Sequence, residues 1–275
     1  MNHIHTATKA TIDAYGQHIP HGLIISGPIG VGLTGVALTI VDQLKATVTT
    51  TLPTKNDVVD LEKGVIAVES IRRLQDQTKT IASKPRVVII DYAERMAPGA
   101  QNAFLKLLEE PPRNTYFFLL THSPATLLPT IRSRAQHLEV RPITQQQSET
   151  LLDELKVFDV TKRTQLLFIA AGLPAELHRL SFDSNAFEKR AQVVRDARSF
   201  AQGRRYEVLT IAQRYKDDRE GSLVLVSDAM KILRRSAVQQ ADSAQVLAKI
   251  DHLLQVYERI RANGNVRLQL AASVV

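Results

Sequence analysis

Short apolar runs alternate with amphipathic stretches in the first half of the chain, and amphipathic stretches alone fill the second half. Leu23 to Ser26 is an apolar run that reads as a strand, and it leads into a glycine-rich turn. Leu33 to Leu44 then carries Val36, Ile40 and Leu44 at helical spacing, which predicts a helix with one buried face. Residues 46–57 are rich in threonine and contain Pro53, the signature of a loop or an edge strand. A second helix is predicted over Ile66 to Ser83, with Ile71, Leu74 and Thr78 in register, and Pro85 ends it. Val87-Val88-Ile89-Ile90 has no polar alternation, so it reads as a strand buried on both faces, and it closes on Asp91. Residues 100–110 form a third helix, stopped by Pro111-Pro112 because proline disfavours helical geometry in the residue before it. Tyr116 to Leu120 is another fully apolar strand.

Strand and helix alternate over this region, which predicts an α/β fold: a parallel sheet flanked by helices on both faces. Ligands of such sheets sit at the carboxyl ends of the strands, so Gly27 to Thr34, Asp91 and Thr121 are expected to converge there. After Pro142 the strand pattern stops. Residues 145–182 carry three short helical patterns, punctuated near Asp159 and at Gly172-Leu173-Pro174, and read as a small helical lid. Longer helices follow from Phe187, with breaks at Gly203, near 217–221, around 236–242 and at Asn263-Gly264-Asn265. The expected organisation is therefore a core over 1–142, a helical lid over 143–186 and an all-helical unit over 187–275.

Composition narrows the class. With 275 residues and 44% hydrophobic content the chain can bury a full core. No apolar stretch approaches the roughly 20 residues that span a bilayer, and the N-terminus opens no signal-like hydrophobic region, so no membrane partner and a cytoplasmic location are expected. The chain has no cysteine, which excludes disulfides and a thiolate zinc site. His3 and His5 are expected to be solvated rather than to hold a metal. A net charge of +7 favours a polyanionic partner. Arg72, Arg73, Arg204 and Arg205 are candidates for a phosphate-facing surface, and solvated helix faces explain them equally well.

The candidate chemistry lies in the glycine turn. Gly27-Pro28-Ile29-Gly30-Val31-Gly32-Leu33-Thr34 follows the phosphate-cradling pattern G-x-x-x-x-G-K-[ST], with Leu33 where the lysine belongs. Backbone N–H groups at a helix N-terminus attract phosphate, but the lysine ammonium holds the outer phosphates and offsets charge as the phosphoryl group transfers. Leucine does neither. Asp91 is placed to help hold Mg²⁺, yet the next residue is Tyr92, a poor base at neutral pH with an ordinary pKa of about 10. Glu94 is expected to face solvent. Arg134 has two readings. Held on the stiff segment Pro129-Thr130-Ile131-Arg132-Ser133-Arg134, it is a candidate arginine finger for a neighbouring subunit; from spacing alone, Arg132 and Arg134 read as surface charges or partners of Glu139.

Several segments together resemble one family. Val68-Glu69-Ser70-Ile71-Arg72-Arg73-Leu74, Arg86 to Glu94, Asn102-Ala103-Phe104-Leu105-Lys106-Leu107-Leu108-Glu109-Glu110-Pro111-Pro112 and Leu128 to Arg134 are similar to successive motifs of the clamp-loader subunits of bacterial DNA polymerase III, of the AAA+ class. His21-Gly22-Leu23 resembles the approach to that family's glycine loop, and the likeness covers residues 20–142, with a weaker echo in Asn263 to Leu270. The resemblance implies an AAA+ RecA-like sheet, a helical lid and a helical collar for oligomerisation.

Carried over residue by residue, Arg134 matches the family's trans-acting arginine, and Ala135 stands in place of the cysteine that follows it. Gly27, Gly30, Gly32 and Thr34 match the glycine loop, from which Leu33 departs, and together with Asp91 they are expected to form a degenerate, non-functional cofactor site. Thr121 or His122 falls at the phosphate-sensing position, and Gly172 to Glu176 offers no arginine at the second sensing position. The four-cysteine zinc insert common in the family is missing. The resemblance therefore implies a zinc-free, non-hydrolysing delta-prime-like subunit that requires no cofactor of its own. Its implied partners are gamma/tau-like ATPase subunits, a delta subunit, the sliding clamp and, through the complex, primed DNA. The alternatives are a gamma/tau-like ATPase with an atypical loop and a basic DNA-binding scaffold outside replication.

Overall fold

The computed structural model describes residues 3–16, 18–56, 58–61, 63–79, 83–237 and 243–273. The chain divides into two compact units, Met1–Ser181 and Phe182–Val275.

The first unit is built on five parallel strands in the order β2-β5-β6-β1-β7: β1 (Gly22–Ser26), β2 (Thr47–Thr51), β5 (Arg86–Ile90), β6 (Thr115–Thr121) and β7 (Gln136–Glu139). A separate antiparallel hairpin pairs β3 (Thr54–Lys55) with β4 (Val58–Val59). In the three central strands, successive side chains enter opposite cores. Leu23, Ile25, Val87, Ile89, Phe118 and Leu120 pack on one face with the helices α1 (Thr6–Tyr15) and α2 (Leu33–Leu44). Ile24, Val88, Ile90, Phe117 and Leu119 pack on the other with α3 (Val68–Thr78), α4 (Pro98–Glu109) and the short α5 (Pro129–Arg132). A strand covered on both faces has no polar alternation, which is why these segments read as continuous apolar runs. β2 is an edge strand with its residues largely exposed, as its threonine-rich sequence allows.

Three elements differ from the sequence reading. The helix expected over Ile66 to Ser83 runs over Val68–Thr78, because Ile66 stays extended and forms a parallel bridge to Met96. β7 lies opposite β2 at the sheet's other edge, and only Leu138 of its four residues is buried, too little to show a strand by periodicity. α1 also escaped notice, with only Thr8 and Ile12 of its ten residues buried. Histidines 3 and 5 belong to this N-terminal segment, and the expectation that they are solvated is corrected. His3 Nε2 lies 3.0 Å from Glu154 Oε2 with its side chain 12% exposed, and His5 Nδ1 accepts the Ala7 N–H as the cap of α1.

Helices α6 (Gln145–Glu154), α7 (Val160–Ala170) and α8 (Pro174–Phe182) follow the sheet at the predicted breaks. A capping box between Thr144 and Gln147 opens α6, and the Asp159 carboxylate caps α7 through the Lys162 N–H. The second unit consists of α9 (Ser184–Gln202), α10 (Arg205–Arg214), α11 (Arg219–Ala237), α12 (Ser243–Arg261) and α13 (Val266–Ala271) around Phe200, Leu225, Val226, Val256, Ile260 and Leu270. Most of the break expected around 236–242 lies outside the described residues. Its core contains the buried carboxylate of Asp196, which accepts from Arg214, Gln192 and the Tyr215 hydroxyl, and that of Asp228, paired with Arg190. A buried carboxylate is tolerated only with such partners. Among the described residues no helix is long and apolar enough to cross a membrane.

Candidate functional site

At the carboxyl end of β1 the chain turns through Gly27 to Gly32 into α2. Gly30 has φ +87°, and a side chain there would also press on Glu176 Cβ at 3.0 Å. Gly27 faces a harder limit, since an added Cβ would sit 2.6 Å from the Val140 carbonyl oxygen. Gly32, with φ 86°, is the N-cap of α2 and contributes no side-chain hydrogen bond. The glycines thus shape a turn of the phosphate-loop type, and it starts a helix of 12 residues.

Side chains around the turn give it a different character. Leu33 is 5% exposed and belongs to the core beneath α2, together with Val31 and Val36. The Gly30 carbonyl accepts the Ala175 N–H at 3.0 Å and the Glu176 N–H at 3.3 Å, so the first turn of α8 rests on the loop. The Glu176 carboxylate in turn binds Arg179 through two bonds of 2.8 Å. A cavity of about 340 Å³ lies beside the turn, lined by His3, Ile4, Gly32, Thr34, Leu151 and His178 among others.

Asp91 and Thr34 do converge on this edge. Thr34 Oγ1 stands 3.5 Å from Asp91 Oδ2, and Asp91 Oδ1 accepts the Tyr92 N–H at 3.0 Å. Burial raises the Asp91 carboxyl above its ordinary range, opposed by the Tyr92 N–H, the nearby His122 and Thr34. Tyr92, at φ 53°, is also shifted upward, first by burial and then by the neighbouring Asp91 and Glu94 carboxylates. The expectation that Glu94 faces solvent is corrected. Glu94 Oε1 lies 3.4 Å from the His122 N–H, and Oε2 is buried with no hydrogen-bond partner among the described residues. A 3₁₀ turn over Ala93–Arg95 swings the carboxylate inward, a feature that spacing from Asp91 did not reveal.

Of the two residues at the end of β6, His122 is the one that reaches the turn. Its ring donates from Nδ1 to the Gly27 carbonyl at 2.8 Å and meets Tyr92 edge-on at 6.0 Å. Thr121 is fully buried, and its hydroxyl accepts the Ser123 N–H.

Arg134 is not part of this group. It precedes β7, whose Gln136 pairs with Leu23 at the start of β1, whereas Gly27 follows the end of β1. At roughly 3.3 Å per residue, the length of β1 separates the two sites by about 16 Å. Its Nη2 lies 2.9 Å from Glu109 Oε1 and its Nη1 donates to the Thr130 carbonyl at 3.2 Å. The partner is Glu109 at the end of α4, not the Glu139 that sequence spacing suggested. Arg132, like Arg72, Arg73, Arg204 and Arg205, is exposed, and Arg204 pairs with Glu207 at 3.4 Å. Phe104 is fully buried, with Leu105 and Leu108 packed against the same core. Sequence reasoning missed Glu176 and Glu109 as members of these sites. Glu109 stood within a quoted motif, but only the folded chain sets it against Arg134.

A parallel sheet with a phosphate-loop-type turn after its first strand, followed by small helical bundles, defines an AAA+-type fold. Solved structures agree on that fold. The DNA polymerase III gamma subunit-related protein of Thermotoga maritima superposes with a TM-score of 0.59 at 19% identity, covering 97% of each chain. RuvB, the Holliday junction branch migration motor of the same organism, gives 0.51 at 17% identity over 84% of this chain and 78% of that one. The family model described as "DNA polymerase III, delta subunit" matches residues 6–144, half of the chain, and the chain belongs to that family. Similar curated proteins include DNA polymerase III subunit delta' of Yersinia pestis, 47% identical over 26% of this chain and 22% of its own length. Subunit delta' of Bacillus subtilis is 36% identical over 46% and 38%. Subunit gamma/tau of Mycobacterium tuberculosis is 30% identical over 51% of this chain and 27% of its own length. The matches thus span well under half the length of these relatives.

Proposed function

We propose that the chain is a non-hydrolysing, delta-prime-like subunit of the DNA polymerase III clamp loader. In this reading it acts in the cytoplasm, helps place the sliding clamp on primed DNA, and lends Arg134 to the ATP site of a neighbouring gamma/tau-like subunit. A delta subunit is the other expected partner. The observation that carries the reading is Leu33, buried in the core where a phosphate-binding turn needs a solvent-facing ammonium. Three further features support it. Tyr92 stands in the position of the base, the Glu176 side chain packs at Gly30, and the first turn of α8 already uses the Gly30 carbonyl. These residues do not fit a hydrolysable magnesium triphosphate, and no catalytic step is assigned to this chain's own turn. It requires neither nucleotide nor zinc of its own.

Placement supports the role of Arg134. It lies at the sheet edge opposite the chain's own turn, 41% exposed, on the packed segment that contains the fully buried Ile131. A guanidinium there is out of reach of its own loop and open to a neighbour. An arginine finger is worth about 10³-fold or more in turnover. In the complex reconstituted with its ATPase partners, Arg134→Ala is expected to cut DNA-stimulated turnover at the adjoining site by about that factor. Unchanged turnover there rejects the assignment.

The gamma/tau-like reading has in its favour the 30% identity to a gamma/tau subunit over half of the chain. Titration of the isolated chain with a fluorescent ATP analogue separates the two. Tight Mg²⁺-dependent binding with turnover supports an ATPase, and absence of turnover supports the delta-prime-like role.

A further inference from the structure

Arg134 is fixed by two acceptors on two packed elements. One is the carboxylate of Glu109, the last residue of α4, whose Phe104 and Leu107 are buried beneath the sheet. The other is the carbonyl of Thr130 in α5, next to the buried Ile131. A carboxylate at a helix C-terminus gains nothing from the helix dipole, and Glu110 adds a second one beside it. The Arg134 guanidinium offsets the charge of Glu109. The fork of an arginine carries five N–H donors, and these two contacts use only part of it.

We propose that Glu109 is a positioning residue for Arg134: its carboxylate selects one rotamer of the arginine before any partner arrives, leaving the rest of the guanidinium fork free for a neighbour's phosphate oxygens. The proposal rests on the arginine-finger reading above. A side chain held in its working geometry gives up less freedom as charge develops on the transferring group, so its worth is expressed in the chemical step rather than in nucleotide binding. The exposure of the pair, 41% and 48%, keeps its contribution to folding small.

The test is steady-state turnover in the complex reconstituted with its ATPase partners, using E109A, E109Q, R134A and the double variant. E109A is expected to lower kcat at the adjoining site about five- to tenfold with KM for ATP unchanged, the scale of a modest loss of orientation. The amide oxygen of E109Q still accepts from Nη2, so this variant is expected within about twofold of the parent. In the R134A background, E109A is expected to change nothing further, because its effect runs through the arginine. E109A turning over as fast as the parent or faster overturns the proposal, as does a change confined to KM. E109Q falling as far as E109A also overturns it. If R134A itself has no effect, the finger reading fails and the proposal falls with it. If R134A collapses turnover while E109A does not, only the proposal fails.

Discussion

The two edges of the parallel sheet make opposite use of the same framework. At the carboxyl edge a glycine turn of the phosphate-loop type is in place, with Gly30 and Gly32 at positive φ and a helix beginning at Leu33, yet Leu33 is buried where the pattern has lysine. At the amino edge Arg134 stands half exposed, paired with Glu109. Backbone geometry and side-chain chemistry are thus separable. The turn joins strand to helix through its glycines, while phosphate chemistry at such a turn depends on a few side chains, the lysine above all.

Four variants break or sharpen this contrast. The largest effect belongs to the amino edge. The turnover loss of about 10³-fold expected for Arg134→Ala corresponds to about 4 kcal/mol in the transition state. The same variant is expected to shift folding stability by less than about 1 kcal/mol, because an exposed ion pair contributes little. A urea melt that moves by more means the arginine is structural.

Next is Leu33→Lys at the carboxyl edge. Leu33 is 5% exposed, so the change removes apolar burial and puts an ammonium against the core, at a cost of about 2–4 kcal/mol. No hydrolysis is expected to appear in the isolated chain, since Tyr92 still occupies the base position. Measurable turnover shows that Tyr92 has been misread.

Gly27→Ala places a methyl 2.6 Å from the Val140 carbonyl oxygen, a backbone atom with little room to move. The expected destabilisation is about 1–3 kcal/mol in chemical denaturation, the range for overpacking. A neutral result means the turn is looser than its contacts indicate.

The smallest effect is that of Asp91→Asn, and its sign is specific. The folded carboxyl titrates above its ordinary value near 3.8, so between that value and the raised one the folded state binds more protons than the unfolded state. The Asp91 contribution to stability therefore declines as pH rises through this window. The Asn variant is expected to gain on the parent with rising pH and to hold that gain at neutrality. A gain that instead shrinks as pH rises reverses the assigned shift.

Much of the fold was legible from residue order. Leu33 to Leu44 was delimited as a helix to the residue, because Gly32 opens it and an apolar stripe runs to its end, and the helices after the sheet broke at Asp159 and Gly172-Leu173-Pro174 as expected. The elements that escaped, α1 and β7, bury too few residues to leave a period in the sequence. The same limit applied to the sites. Gly27, Gly30, Gly32, Thr34 and Asp91 were singled out as candidates because a local motif or a strand end marks them, and His122 as one of two residues at the end of a strand. Glu176 and Glu109 instead make contacts with residues far away in the chain, which spacing does not reveal.

The amino-acid sequence by itself determined the parallel sheet, the glycine turn and the leucine at that turn's lysine position, since all three follow from neighbouring residues and their spacing. Only tertiary structure decided what meets the turn, which edge carries Arg134, and that Glu109 rather than Glu139 holds it. Local order fixes backbone conformation within a few residues, but a salt bridge or a blocked carbonyl depends on packing that joins segments tens of residues apart.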